Sequence, residues 1–230
     1  MKKYFRKIAL FFGFFIFFLW IGFHFFFWID RKQENKLIKQ NQTITRLTQE
    51  DLKKIRQGDI ILRRGYGFFS DLIAKKLNDS VFDVTHSGIL YLKEGKWWVI
   101  HSLSSDASDT DGMQEQPLNQ FLKGSMPEKI IVVRPKSINV EEGQQIVNQA
   151  KYYLERRIPF DRMGIIDEPS QMYCTELIWQ ILETDLKLIS LPKDLKQRKD
   201  LFYSMTGTYD DKYFDIIINK YPKSNNKNKN

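Results

Sequence analysis

The 230-residue sequence has a single cysteine, Cys174, and only three histidines. One thiol excludes an internal disulfide framework and a cysteine-rich zinc module. A glycine-rich phosphate loop and an acidic calcium loop are both missing, so no nucleotide, dinucleotide or calcium site is indicated and no cofactor is expected. Acidic residues are absent before Asp30. Basic charge is scarce where a nucleic acid would need it. The net charge is +8, yet residues 65–211 carry 17 Lys/Arg against 22 Asp/Glu. Without a clustered basic patch interleaved with aromatics, nucleic acid is not an expected partner. No internal repeat is found.

The basic residues gather at the ends. Residues 1–7 form a head with Lys2, Lys3, Arg6 and Lys7. Residues 8–29 then run for 22 positions with no Asp, Glu, Lys or Arg. As a helix this run spans roughly 33 Å, the thickness of a bilayer core. A cleaved signal peptide would have a shorter apolar region ending in small residues. This run ends on Phe25-Phe26-Phe27-Trp28-Ile29-Asp30, so it reads as an uncleaved anchor with the lipid bilayer as partner. No lipidation cysteine is present, and His24 lies near one end of the run. Four cationic side chains precede the run and Arg31, Lys32, Lys36 and Lys39 follow it. The N-terminal amine tips the balance to N-terminus inside and the domain outside. Residues 30–47 read as a polar stalk whose basic character suits anionic headgroups.

About 170 residues follow, enough for one domain with a core; its expected bounds are 48–215, with a disordered basic tail at 216–230. Thr48 caps a short helix with Leu52 and Ile55 inward. Gly58-Asp59 turns into a buried strand at Ile60-Ile61-Leu62. Ser70 is the expected cap of a helix through Leu77, with Leu72, Ile73 and Leu77 inward. Residues 84–92 and 97–102 read as two strands joined by a turn at Glu94-Gly95-Lys96. If that loop has an even number of residues, His86 and His101 share one sheet face, diagonally offset. Residues 104–115 read as a mobile loop, Pro117 to Leu122 as a short helix and Lys129 to Arg134 as a strand. Val140 to Arg157 is an amphipathic helix with Ile146, Val147, Ala150, Tyr153 and Leu154 on its apolar face.

Leu177, Ile178, Ile181, Leu182 and Leu186 follow Cys174 at helical spacing. The cysteine therefore stands in the first turn of a buried helix, where the dipole and unpaired N–H groups favour thiolate. A cysteine hydrolase needs a thiolate, an imidazole within reach and a group that orients the imidazole. Cys174, His86 and His101 fill those roles in that order. The plainer alternative is a buried core cysteine with surface histidines.

Five segments sharpen this reading: Gly58-Asp59-Ile60-Ile61, Thr85-His86-Ser87-Gly88-Ile89, Val99-Ile100-His101-Ser102, Pro159-Phe160-Asp161 and Tyr173-Cys174-Thr175-Glu176-Leu177-Ile178-Trp179. In this order they resemble the YiiX/YebB-like family of permuted papain-fold cysteine hydrolases, relatives of the NlpC-type cell-wall peptidases. The resemblance runs from about Gln57 to about Leu191. Histidine precedes cysteine here, the reverse of classical papain-like enzymes, as circular permutation requires. The resemblance implies an α+β fold, with a small antiparallel sheet or open barrel carrying both histidines and the Cys174 helix packed on its face. It implies Cys174 as nucleophile and His86 as general base. The third position falls on His101, where family members often carry an acid; a neutral imidazole orients His86 but supplies no negative charge. The Cys174 backbone N–H is the expected oxyanion donor, with the Tyr173 hydroxyl as an auxiliary. Asp59 and Asp161 read first as turn and loop-capping residues, and Glu176 as either structural or part of the cleft.

The implied activity is amide hydrolysis by a membrane-anchored thiol enzyme, with cell-wall peptide as the expected substrate. Three alternatives stand beside it. Relatives similar to lecithin:retinol acyltransferase use a histidine pair and one cysteine on acyl esters, which makes lipid a second substrate class. An anchored binding module would keep the cleft without turnover. A zinc site would use the cysteine and both histidines, an allowed three-ligand set, though no further ligand or paired-cysteine spacing supports it.

Overall fold

The structure is a computed structural model, and it describes residues 2–79, 81–164, 169–190, 198–199 and 202–222. The first element, α1 (Lys2–Asn41), is one 40-residue helix that carries the charge-free run straight into the polar segment after it. The expected stalk is thus helical to Asn41. After it, Arg46 and Leu47 are buried against the domain. Arg46 donates to the carbonyl of Ser125 from Nη2 at 3.1 Å. Phe11–Asn41 is long and apolar enough to cross a membrane.

A short helix, α2 (Gln49–Leu52), starts on a Thr48/Asp51 capping box. Strand β1 (Ile60–Arg63) follows, then α3 (Gly67–Lys76), β2 (His86–Lys93), β3 (Lys96–Leu103) and β4 (Gly112–Pro117). Next come α4 (Leu118–Lys123), β5 (Ile130–Pro135), α5 (Val140–Glu155) and α6 (Cys174–Trp179). A π-helical turn, Gln180–Asp185, prolongs α6. A small ladder pairs β6 (Arg198–Lys199) with β7 (Phe202–Tyr203), and β8 (Phe214–Asn219) closes the order. Residues β4-β3-β2-β1-β5-β8 form one open antiparallel sheet of six strands.

Period-2 alternation splits the core between two sheet faces. Ile60, Leu62, Ile89, Tyr91 and Ile100 face α5 and α6, packing with Ile146, Val147, Leu177 and Ile178. Ile61, Leu90, Val99 and Val132 face the other way, toward Phe121 of α4 and Ile55. Gly58, at φ +86°, lets the chain pass α5 so closely that a Cβ there would lie 2.5 Å from the carbonyl oxygen of Gly143.

Three expectations are corrected. Helix α3 begins at Gly67, so Ser70 lies inside it, and Leu72 is exposed; only Ile73 and Leu77 turn to the core. The expected loop at 104–115 gives way to strand β4 from Gly112, because residues 112–117 find backbone partners on β3 that local sequence does not reveal. The folded chain also runs past residue 215: β8 takes the free edge of β5. Residues 223–230 of the expected tail lie outside the described residues.

Candidate active site

The β2–β3 hairpin turns on two residues, Glu94 and Gly95, both at positive φ (+52° and +73°), as a right-twisted two-residue turn requires. The even loop sets Ile89 opposite Ile100, so His86 and His101 lie on one face, as the parity argument expects. Their rings meet: His86 Nε2 is 2.9 Å from His101 Nδ1. Gly88 sits on that face between them, and a Cβ there would lie 3.2 Å from the His101 Cβ and 2.4 Å from Val99. Phe121 of α4 packs against both rings, at 5.6 and 5.4 Å between centroids. Beyond His101, Gln116 of β4 extends the chain, its Nε2 lying 2.9 Å from His101 Nε2. Sequence reasoning missed Gln116 because it fell next to the presumed loop.

Cys174 opens α6, which packs on the opposite face, and a parting of strands brings it beside Ser87, the residue after His86. Strand β2 pairs with β3 only from Ile89 onward, whereas its pairing with β1 continues to His86. Leu90 exchanges hydrogen bonds with Asp59 and Gly58 on the β1 side, so alternate residues 88 and 86 face β1 and the N–H of Ser87 points to the gap. The chain before α6 enters that gap. Ser102 of β3 donates to the Met172 carbonyl at 2.5 Å, and the backbone and hydroxyl of Ser87 act on the Cys174 thiol, favouring its anion. The sulfur thus rests against the residue next to His86. Among the described residues, no hydrogen bond joins it directly to either ring.

Arg63 is a second residue that sequence reasoning did not single out. It stands opposite His86 across the β1–β2 ladder. Its guanidinium lies 4.7 Å from the centre of the Phe121 ring and donates to the Gly124 carbonyl. Its Nε is buried without a partner among the described residues. Burial pulls the group down to about 10, which leaves it charged at neutral pH, and Glu34 of α1, then Cys174 and Tyr66, act against that pull. The only earlier hint was arginine at the end of an otherwise apolar strand.

Electrostatics follow from this enclosure. Burial, then His101 and Arg63, hold His86 well below the usual imidazole value. Burial, then Arg63, hold His101 down at about 3. Both rings are therefore neutral near pH 7. Burial also pushes the Cys174 thiol up, and the opposing effects of Ser87 and Thr175 do not outweigh it. This corrects the expectation of a thiolate: the cost of desolvating the anion outweighs what the helix start and its N–H groups return. In the free protein, iodoacetamide alkylation of Cys174 is expected to be slow at pH 7 and to rise with a midpoint above the ordinary thiol range. Full reactivity at pH 7 would show instead that the site holds a preformed ion pair.

The remaining expected residues have structural partners. Tyr173 is buried at the α6 N-cap, and its N–H donates to the Glu176 carboxylate at 3.4 Å, which places Glu176 in the helix cap. Asp161 accepts from the N–H groups of Met163 and Gly164 at 2.8 and 2.6 Å. Asp59 accepts from the Arg56 N–H at 2.7 Å and from Arg134.

A family model described as permuted papain-like amidase enzyme, YaeF/YiiX, C92 family, matches residues 54–204. Among solved structures, the chain is similar to the metalloprotein yiiX from Escherichia coli O157:H7, with 21% sequence identity and a TM-score of 0.53. That likeness covers 74% of this chain and 99% of the other. No curated protein matches the sequence.

Proposed function

The chain belongs to the YaeF/YiiX family of permuted papain-like amidases, and from that premise we propose that it is a membrane-anchored cysteine amidase working through Cys174, His86 and His101. The observation that carries the reading is the paired imidazoles, 2.9 Å apart, with the sulfur lodged against the residue that follows His86. Cys174 attacks the amide carbonyl as His86 takes the thiol proton. The C–N bond then breaks, the amine leaves with the proton from His86, and a thioester remains on the sulfur. Water, deprotonated by His86, releases the acid and restores the thiol. The backbone N–H of Cys174 is at the start of α6 and supports the oxyanion, with the Tyr173 hydroxyl as auxiliary.

Because both rings rest neutral, the ion pair forms with the substrate, once water has left the cleft and the oxyanion donors are engaged. The reading also requires a particular tautomer. With Nε2 of His86 on His101, the base is Nδ1, so Nε2 must hold the proton and donate it to His101 Nδ1. His101 then carries its own proton on Nε2, which calls for an acceptor. The Gln116 side chain supplies one when its carbonyl oxygen turns toward the ring, an orientation isosteric with the placed amide. Gln116 is thus a positioning residue. Gln116→Leu is expected to lower kcat about tenfold or more with little change in KM, and Gln116→Glu to retain most activity. Equal loss in both variants, or loss confined to KM, would remove Gln116 from this role.

Release of free amine from a panel of wall-peptide and other peptide amides tests the reading as a whole. Amine release by the full chain, absent in Cys174→Ala, supports it. A folded chain that hydrolyses none of the panel argues for a binding module. The yiiX neighbour is described as a metalloprotein, but the residues here do not fit a metal. Among the described residues, no three His, Cys, Asp or Glu side chains gather closely enough to hold one. The two histidines instead direct ring nitrogens at one another. No step above passes through a metal.

The apolar run of α1 supports the anchor. Its most apolar stretch holds no buried residue. The charge balance around it supports an outward-facing domain.

A further inference from the structure

Helix α3 departs from the pattern of a domain helix: none of its ten residues is buried. Phe68, Phe69 and Leu72 are 45%, 49% and 43% exposed, and Lys75 and Lys76 are also exposed. At about 100° per residue, these five positions fall within an arc of roughly 120°. Ile73, off that arc, packs on the core. The outer face therefore combines two phenylalanines and a leucine with two lysines in the last turn, the composition of a helix lying in a bilayer interface.

Its position relative to α1 says what covers that face. Phe27 stacks on Phe69 at 5.2 Å and 8°, and Phe26 meets Phe68 edge-on at 5.2 Å. One residue turn further on, both oxygens of Asp30 accept from the Phe68 N–H at 3.1 Å, fixing the start of α3. Phe26 and Phe27 belong to the charge-free run and lie about 5 Å on the membrane side of Asp30 along the helix. If α1 spans a bilayer, its ring contacts place Phe68 and Phe69 at that same depth, within the 5–10 Å to which interfacial helices sink. Arg31, Lys32, Lys36 and Lys39 on α1 and Lys75 and Lys76 on α3 then surround the contact with positive charge, complementary to anionic headgroups.

We propose that α3 is a second membrane contact, embedding Phe68, Phe69 and Leu72 in the interface beside the anchor and so seating the domain on an anionic bilayer in a fixed orientation. The inference rests on the anchor reading above. Arg63, four residues before α3, couples electrostatically to Glu34 of α1 and to Cys174, so this seat holds the thiol site at the membrane-facing end of the domain.

The single cysteine makes the test direct. In the full chain, Cys174→Ser leaves a cysteine-free background into which Phe69→Cys, Leu72→Cys, Val140→Cys and Phe23→Cys are introduced one at a time. Each is labelled with an environment-sensitive fluorophore and reconstituted into vesicles of phosphatidylglycerol and phosphatidylcholine, with folding checked by circular dichroism. Lipids carrying a nitroxide near the headgroup are expected to quench positions 69 and 72 by about twofold or more, while exposed position 140 stays unquenched. Quenching at 23 with none at 69 and 72 overturns the seat and leaves the anchor standing. Loss of quenching at 23 as well overturns the anchor and the seat with it. An environmental shift of the fluorophore at 69 and 72 that comes without lipid quenching, and vanishes when the protein is diluted among excess vesicles, identifies a second copy as the occupant and likewise overturns the proposal.

Discussion

Cys174→Ala is expected to abolish amide hydrolysis, lowering kcat by at least ~10⁴-fold, with the fold unchanged. The thiol supplies the electrons for the first bond. His86→Ala is expected to cost a similar factor, since the neutral thiol then has no proton acceptor, and burial already pushes that thiol up. The double variant should lose no more than either single one, because the two groups act as one device. Progress curves for amine release, with intact-mass detection of the thioester, separate the steps. Residual turnover within tenfold of the parent in Cys174→Ala would sink the assignment outright. Near-normal turnover in His86→Ala would move the base elsewhere.

Arg134→Ala is expected to be the most destabilising single change away from the site. Asp59 is fully buried, and Arg134 meets its two oxygens from Nε at 2.7 Å and Nη2 at 2.8 Å. Burial outweighs these contacts and raises the Asp59 carboxyl above its ordinary value. Removing the guanidinium leaves the carboxylate at the β1 entrance with only the Arg56 N–H. Breaking such a buried pair costs about 3–5 kcal/mol, which lowers Tm by roughly 10 °C in a domain of this size. Asp59→Asn combined with Arg134→Met should recover much of that loss, since neither leaves a buried charge. A Tm change under about 2 °C in Arg134→Ala would show that water screens the pair.

Much of the fold was legible because its signals are local. Short apolar runs bounded by turn residues marked β1, β2, β3 and β5, and the 3.6-residue period marked α5. The capping roles given to Thr48, Asp59 and Asp161 appear as hydrogen bonds. Where an element depends on a distant partner, the local pattern misled. Residues 112–115, polar and glycine-led, read as loop, yet β3 recruits them into β4. Leu72 read as core by its chemistry, yet α3 turns it outward beside α1.

Sequence by itself determined that Cys174 opens a helix with an apolar flank, and that His86 and His101 share a face provided the loop between their strands is even. The turn of Glu94-Gly95-Lys96 read from sequence left that condition open; the structure meets it with a two-residue turn at Glu94 and Gly95. Tertiary structure alone decided what surrounds these groups. The parting of β2 from β3 admits the chain before α6 and lets Ser87 meet the sulfur. Strand β1 brings Arg63 opposite His86, and β4 brings Gln116 to His101. Burial, with Arg63 and for His86 also His101, keeps both imidazoles neutral, and burial raises the thiol against the effect of Ser87, the reverse of what a helix start alone suggests. The reason is that charge states depend on desolvation and on charges a few ångströms away in space, and neither has a period along the chain.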